Sequence, residues 1–239
     1  MRRRGGGTMK TSDKGVLAIA VHEGIVPAPY LDSVGVWTFG IGHTASAGAP
    51  DPSNLPRGNP ENVDAVLPEV FEVFRRDLEK FEARVNAAVK VPLEQHEFDA
   101  LVSFDFNTGG IHRAKLTQHL NNGDRAAAAR GFMGWLKPPE IRSRREGEMK
   151  LFRDGFYPSG MVSVFGVTAS NKPDFRQVRR RLTQDQLLVY MRPAHVLGEL
   201  SGKPYNAPSF NKGVGDSLRQ NPVAKFLRVL LSLFKRQEK

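Results

Sequence analysis

The spacing of apolar residues changes several times along the chain, and each change predicts an element. Over residues 13–23, Val16, Ile19 and Ala20 recur at helical spacing behind Ser12, a residue type that caps helices, and Gly24 supplies a stop. From Tyr30 to Gly42 the rhythm shortens and glycines punctuate it, which predicts a small hairpin or meander with its turn centred on Gly35. Residues 45–62, rich in Pro, Gly and Asn, read as an unusually long loop. Helical spacing returns over about 63–89, 93–106, 112–121 and 123–136; Asn121-Asn122-Gly123 breaks it and Pro138-Pro139 closes it. A further helix is expected over 140–153, ending near Gly155. From Tyr157 the pattern loosens, and there is no internal repeat. The fold class predicted is α+β and mainly helical, with a small β-lobe near the N-terminus and a C-terminal extension over 157–239.

The last predicted element is a helix over 221–236. Lys225, Arg228, Ser232 and Lys235 fall on one narrow stripe, while Val223, Phe226, Leu227, Leu230, Leu231, Leu233 and Phe234 cover the rest. So broad an apolar face has to be buried, against its own domain, a second copy or an anionic membrane surface, and it is too short to span a bilayer. Charge sharpens this picture. The net +10 comes from 35 Lys/Arg and 25 Asp/Glu, and residues 161–239 hold 14 and 5 of these, a local +9. Such a segment suits an anionic lipid or wall polymer, or is simply a solvated tail; no nucleic acid partner is expected. The absence of cysteine excludes disulfides, thiolate metal sites and a thiol nucleophile. Residues 1–12 are expected to be a disordered leader, with Met9 as an alternative start. Arg2–Arg4 run into glycine and polar residues without the apolar stretch of a signal peptide. Synthesis in the cytoplasm, as a monomer, is the expectation.

Three residues carry the candidate chemistry. Glu23 ends the first helix, where the dipole disfavours a carboxylate, and half-burial there would favour the protonated acid a general-acid catalyst needs. Asp32 lies on the hairpin. With the turn centred on Gly35, residues 32 and 38 are expected to face each other across two strands, so that Asp32 and Thr38 hold one water between them. A carboxylic acid on one face of a sugar and a carboxylate-held water on the other is the arrangement of inverting glycoside hydrolysis. Taken singly, a Glu at a helix end or an Asp beside a turn is common and says little.

The surroundings say more. Glu23-Gly24, Pro29-Tyr30-Leu31-Asp32, Gly35-Val36-Trp37-Thr38 and Gly40-Ile41-Gly42-His43-Thr44 resemble the active-site region of the phage-type lysozymes, the endolysins of tailed phages and prophages. The family's catalytic Glu, Asp and Thr are spaced nine and six residues apart, as Glu23, Asp32 and Thr38 are here. The resemblance resumes in the block Gln95–Gly109, then at Leu120–Gly123, Phe132–Trp135 and Arg144–Phe152, and covers about residues 14–156 in order. It implies a two-lobed lysozyme-like catalytic domain over 13–156, with the substrate in a cleft between the lobes. It implies Glu23 as proton donor and Asp32 as the residue that positions water, helped by Thr38. Asn107 and Thr108 would bind sugar, and Arg144 or Arg145 would support the catalytic carboxylates. The implied reaction is hydrolysis of the β-1,4 bonds between N-acetylmuramic acid and N-acetylglucosamine in peptidoglycan, without cofactor or metal. The enzyme would reach the periplasm through a pore made by another protein. Two departures stand out: the loop after Thr44 is long, and Glu140 occupies a position where the family often has Gly.

Other residues have plainer readings. His43 is expected to pack on the β-lobe, paired with a carboxylate, as a supporting residue. His96, His112 and His119 share no ligand spacing, so no metal site is expected. Gly35, Gly40 and Gly42 precede no phosphate-loop lysine. Trp37, Phe104, Phe106 and Trp135 are expected in the core, with one able to stack on a sugar. Two rival functions are a lytic transglycosylase, which needs a single Glu and leaves an anhydro end, and a non-catalytic wall- or membrane-binding protein. The carboxylate at Asp32 disfavours the first, and the retained triplet disfavours the second.

Overall fold

A computed structural model describes residues 8–192. The helix expected over 221–236 and most of the expected leader lie outside the described residues. The elements run α1 (Asp13–Glu23), β1 (Val26–Leu31), β2 (Trp37–Gly40), β3 (His43–Thr44), α2 (Val63–Ala88), α3 (Gln95–Thr108), α4 (Lys115–Asn121), α5 (Arg125–Gly131), α6 (Arg142–Asp154), β4 (Val162–Val167), β5 (Pro173–Leu182) and α7 (Gln184–Tyr190). The class is α+β and mainly helical, as expected. Two compact units divide these elements. One takes the residues up to His22 with Arg75–Gly160; the other takes Glu23–Phe74 with the residues from Met161. Among the described residues no helix is long and apolar enough to cross a membrane.

The helical unit is organised around one buried carboxylate. Ser12 caps α1 through its hydroxyl, which accepts from the Gly15 amide at 3.0 Å. The Ser12 amide donates to Asp99 Oδ1 at 3.0 Å, and its hydroxyl bonds Oδ2. Gln95 Nε2 at 2.9 Å and the Tyr157 hydroxyl at 2.7 Å complete the set. Asp99 is 0% exposed, and these donors offset the cost of burying its charge. One residue of α3 thus pins the start of α1 and the segment after α6. Phe104, Phe132 and Phe152 form the aromatic centre, with ring centroids 5.5 and 5.6 Å apart in sequence order.

A Cβ placed on Gly15 would lie 2.5 Å from Cγ of Asp99, a carboxylate whose four bonds leave it no room to withdraw. Gly15→Ala is therefore expected to cost about 1–3 kcal/mol, the usual price of overpacking. Urea unfolding of the two proteins checks this; an unchanged midpoint would contradict it.

The helices begin and end within a few residues of their expected bounds. The exception is the stretch 123–136, where α5 stops at Gly131 and a 3-10 turn, Phe132–Gly134, follows. At Gly131 a Cβ would stand 2.7 Å from that of Leu116, so the close approach of α4 and α5 needs glycine there. Near Glu140, a 3-10 turn over Pro139–Ile141 leads into α6.

The second unit holds a three-stranded antiparallel sheet in the order β1-β2-β3 and a separate hairpin, β4-β5. The loosened pattern after Tyr157 conceals this hairpin and α7. Arg180 makes a two-pronged pair with Asp64 in the first turn of α2, at 3.2 and 2.9 Å, and the Tyr190 hydroxyl donates to the same carboxylate at 3.2 Å. Burial, then the Asp64 charge, pushes the Tyr190 phenol well above its ordinary range. Part of the basic extension is therefore folded against α2 through specific ion pairs.

Candidate active site

Glu23, Asp32 and Thr38 all belong to the second unit. Glu23 is the last residue of α1, where Gly24 adopts φ 72° and turns the chain into β1. It is exposed and not half-buried as expected, because the helix ends there at the surface. Asp32 directly follows β1 and is half-buried. Its Oδ1 accepts from the amides of Val34 at 2.9 Å and Val36 at 2.8 Å, while its own amide donates to the Val36 carbonyl at 3.0 Å. Oδ2 takes none of the hydrogen bonds formed among the described residues.

The strand register differs from the one expected. Tyr30 pairs with Thr38 and Leu31 with Trp37, so Asp32 stands opposite Val36 rather than Thr38. The loop contains Ser33, Val34 and Gly35, and its centre is Val34. Gly35, at φ 85°, occupies the last loop position, where a three-residue hairpin needs a left-handed residue. Asp32 and Thr38 are then diagonal neighbours on one face of the ladder, a separation of about 7–8 Å in general. Thr38 is buried, and its hydroxyl donates to the Val36 carbonyl at 3.1 Å. Its oxygen lone pairs stay available as acceptors.

Two residues before Asp32 on β1 stands Tyr30, half-buried, a residue sequence reasoning passed over as a strand position. Its phenol is pushed up to about 12, first by burial and then by the negative charges of Glu23 and Asp32. At neutral pH Tyr30 is therefore an uncharged hydroxyl.

His43 is 1% exposed, and its Nε2 lies 2.7 Å from the Pro50 carbonyl. The long loop returns Arg57 to the hairpin: its guanidinium lies 3.6 Å from the centroid of the Trp37 ring, and it donates to the Pro52 carbonyl at 3.2 Å.

The remaining expected site residues belong to the helical unit. Arg144 Nε donates to Glu148 Oε1 at 3.1 Å, and Arg145 pairs with Oε2 of the same carboxylate. Ser103 Oγ donates to Oε1 at 2.8 Å. Arg145 also bonds the Asn107 side-chain oxygen and lies over Phe104, 5.2 Å from its centroid. Asn107 is exposed at the end of α3 and is oriented by that guanidinium. Thr108 donates its hydroxyl to the Phe104 carbonyl at 2.7 Å and accepts from the Gly110 amide at 3.0 Å, so it can offer a ligand an acceptor but no proton. Among the described residues no group of His, Asp and Glu is arranged to hold a metal ion.

The phage lysozyme family model matches residues 20–148, which include Glu23, Asp32, Thr38, Asn107, Thr108, Arg144 and Arg145. The chain belongs to the phage lysozyme family. It is 34% identical over 156 residues to the endolysin of Acyrthosiphon pisum secondary endosymbiont phage 1, a match that covers 60% of this chain and 98% of that one. Against the endolysin of Salmonella phage P22 the identity is 33% over 150 residues, with the same shares covered. Among solved structures, the endolysin from Escherichia coli O157:H7 phage FAHEc1 aligns with a TM-score of 0.54 and 31% identity, over 64% of this chain and 98% of that chain.

Proposed function

We propose that this protein is a lysozyme-type peptidoglycan hydrolase, a muramidase that cleaves the β-1,4 bond between N-acetylmuramic acid and N-acetylglucosamine with inversion. The observation that carries the reading is the phage lysozyme family match over residues 20–148, within which Glu23 and Asp32 flank the two ends of strand β1. A pair of carboxylates is what an inverting glycosidase requires, one as acid and one as base.

Glu23, in its protonated form, gives its proton to the oxygen leaving C1 of the muramic acid residue. A glycan lying over this exposed side chain would itself exclude water from the acid. On the other face of the sugar, a water donates one hydrogen to Asp32 Oδ2 and the other to the Thr38 hydroxyl oxygen. Its lone pair is then directed at C1. Fixing Oδ1 with the Val34 and Val36 amides holds the carboxylate plane, so that Oδ2 is the oxygen that takes the proton. The oxocarbenium-like transition state forms as the C1–O bond breaks and the water oxygen closes on C1. Tyr30, kept neutral, can hydrogen-bond a sugar hydroxyl without adding a third negative charge.

Domain 13–156 is the proposed catalytic region, and the helix of 221–236 is the proposed contact with an anionic membrane surface. The products test the mechanism. NMR of the first glycan fragments released from soluble peptidoglycan is expected to show a reducing muramic acid end in the α configuration, inverted from the β bond. A retained β product would remove the water-positioning role of Asp32 and Thr38. A 1,6-anhydro product would make the enzyme a transglycosylase.

A further inference from the structure

The hairpin β4–β5 lies beyond the residues that the family model matches, yet it is built into the strand that joins the two candidate catalytic carboxylates. Strand β1 runs from just after Glu23 to just before Asp32 and is poorly equipped to hold them apart by itself. Pro27 and Pro29 have no amide hydrogens, and the β1–β2 ladder is irregular between Val26 and Tyr30.

The hairpin braces both ends of this strand. At the Glu23 end, the Ile25 amide donates to the Ser163 carbonyl at 3.1 Å, and the Phe165 amide donates to the Ile25 carbonyl at 2.8 Å. The Phe165 ring lies so close that a Cβ on Gly24 would stand 2.9 Å from it. At the Asp32 end, the Leu31 amide donates to the Asn171 carbonyl at 2.7 Å, and Lys172 Nζ donates to the Asp32 carbonyl at 3.1 Å. Along the middle, Val167 joins Val26 and Ala28 in one apolar cluster, against which Tyr30 and Phe165 pack. The turn that presents Asn171 and Lys172 is itself fixed: Asn171 adopts φ 56°, and Thr168 bonds Lys172 through both its amide and its hydroxyl, at 2.9 and 3.1 Å.

We propose that β4–β5 is a splint for the catalytic strand, which sets the position of Asp32 relative to Glu23, and that Lys172 is its positioning residue at the Asp32 end. The inference rests on the reading of Glu23 and Asp32 as acid and base. Placement governs rate more than binding, since small misplacements of a reacting group reduce turnover steeply. The effect of losing this contact therefore falls on kcat.

The test uses the full chain and soluble peptidoglycan fragments, comparing wild type with Lys172→Met, Lys172→Arg and Asp32→Asn. Lys172→Met is expected to lower kcat about fivefold with KM within about twofold, and Lys172→Arg, which keeps the charged donor, to recover most of the loss. Three results would overturn the splint: wild-type kcat in Lys172→Met, a change confined to KM, or no recovery by Lys172→Arg. Asp32→Asn separates the two levels of the argument. If that variant turns over near the wild-type rate, the assignment of Asp32 fails and the splint with it. If it is inactive while Lys172→Met is normal, the splint alone fails.

Discussion

Glu148→Ala is expected to lower the unfolding free energy by about 3–5 kcal/mol, the cost of leaving a buried charge without its partner. The side chains of Glu148 and Arg145 are 2% and 1% exposed, and Arg144 shares the same carboxylate. Removing it strands guanidinium charge against the rings of the helical core, where Arg145 faces Phe104. The Arg142–Glu146 pair on the same helix offers the contrast, with side chains 62% and 43% exposed. Solvent screens such a pair, so Glu146→Ala is expected to change stability by no more than about 0.5 kcal/mol. Urea unfolding of the three proteins measures both. Equal midpoints for the two variants would mean that the buried cluster adds nothing. Because Arg145 also orients Asn107, Glu148→Ala is further expected to loosen the end of α3.

Much of this molecule was legible in its sequence, and the reasons are local. Ser12, Gly24 and the spacing of Val16, Ile19 and Ala20 act within one helix, so α1 follows from them almost residue by residue. The hairpin was legible as an element but its register was not. Gly35 marks the turn, yet a glycine can stand at the centre of a loop or at its end, and the Asp32 side chain decides the matter by closing on Val34 and Val36. That slip moved Thr38 from opposite Asp32 to a diagonal position and put Tyr30 opposite Thr38.

Strand β1 was recognised only from Tyr30 onward. Pro27 and Pro29 signal a break in any local reading, and they are tolerated because the hairpin β4–β5 supplies bonds that the strand cannot make with β2. The hairpin itself was hidden by composition. Arg176, Arg179, Arg180 and Arg181 make β5 look like solvated tail, whereas Arg180 is committed to Asp64, 116 residues away in sequence. A partner so distant leaves no mark on local periodicity. Likewise nothing near Lys172 announces that its ammonium bonds the backbone of Asp32, 140 positions earlier.

The candidate chemistry survives these corrections because it depends on residue type and spacing more than on register. Glu23 remains the acid in this account even though it is exposed in the free protein. Glu23→Gln keeps the size of the side chain and its hydrogen-bonding capacity but cannot give up a proton to the leaving oxygen. It is expected to lower hydrolysis by at least about a hundredfold, since general acid catalysis contributes roughly 10² to 10⁴ in rate. Its melting temperature should equal or exceed that of wild type, because active-site carboxylates are often held at some cost to stability.

The most direct measurement is the clearing of outer-membrane-permeabilised bacteria, followed as turbidity, by equal amounts of folded wild-type and Glu23→Gln protein. Rapid clearing by the wild type with at least about a hundredfold slower clearing by the variant is the predicted result. Clearing by Glu23→Gln within a fewfold of wild type would contradict the central claim that Glu23 is the acid of a peptidoglycan hydrolase.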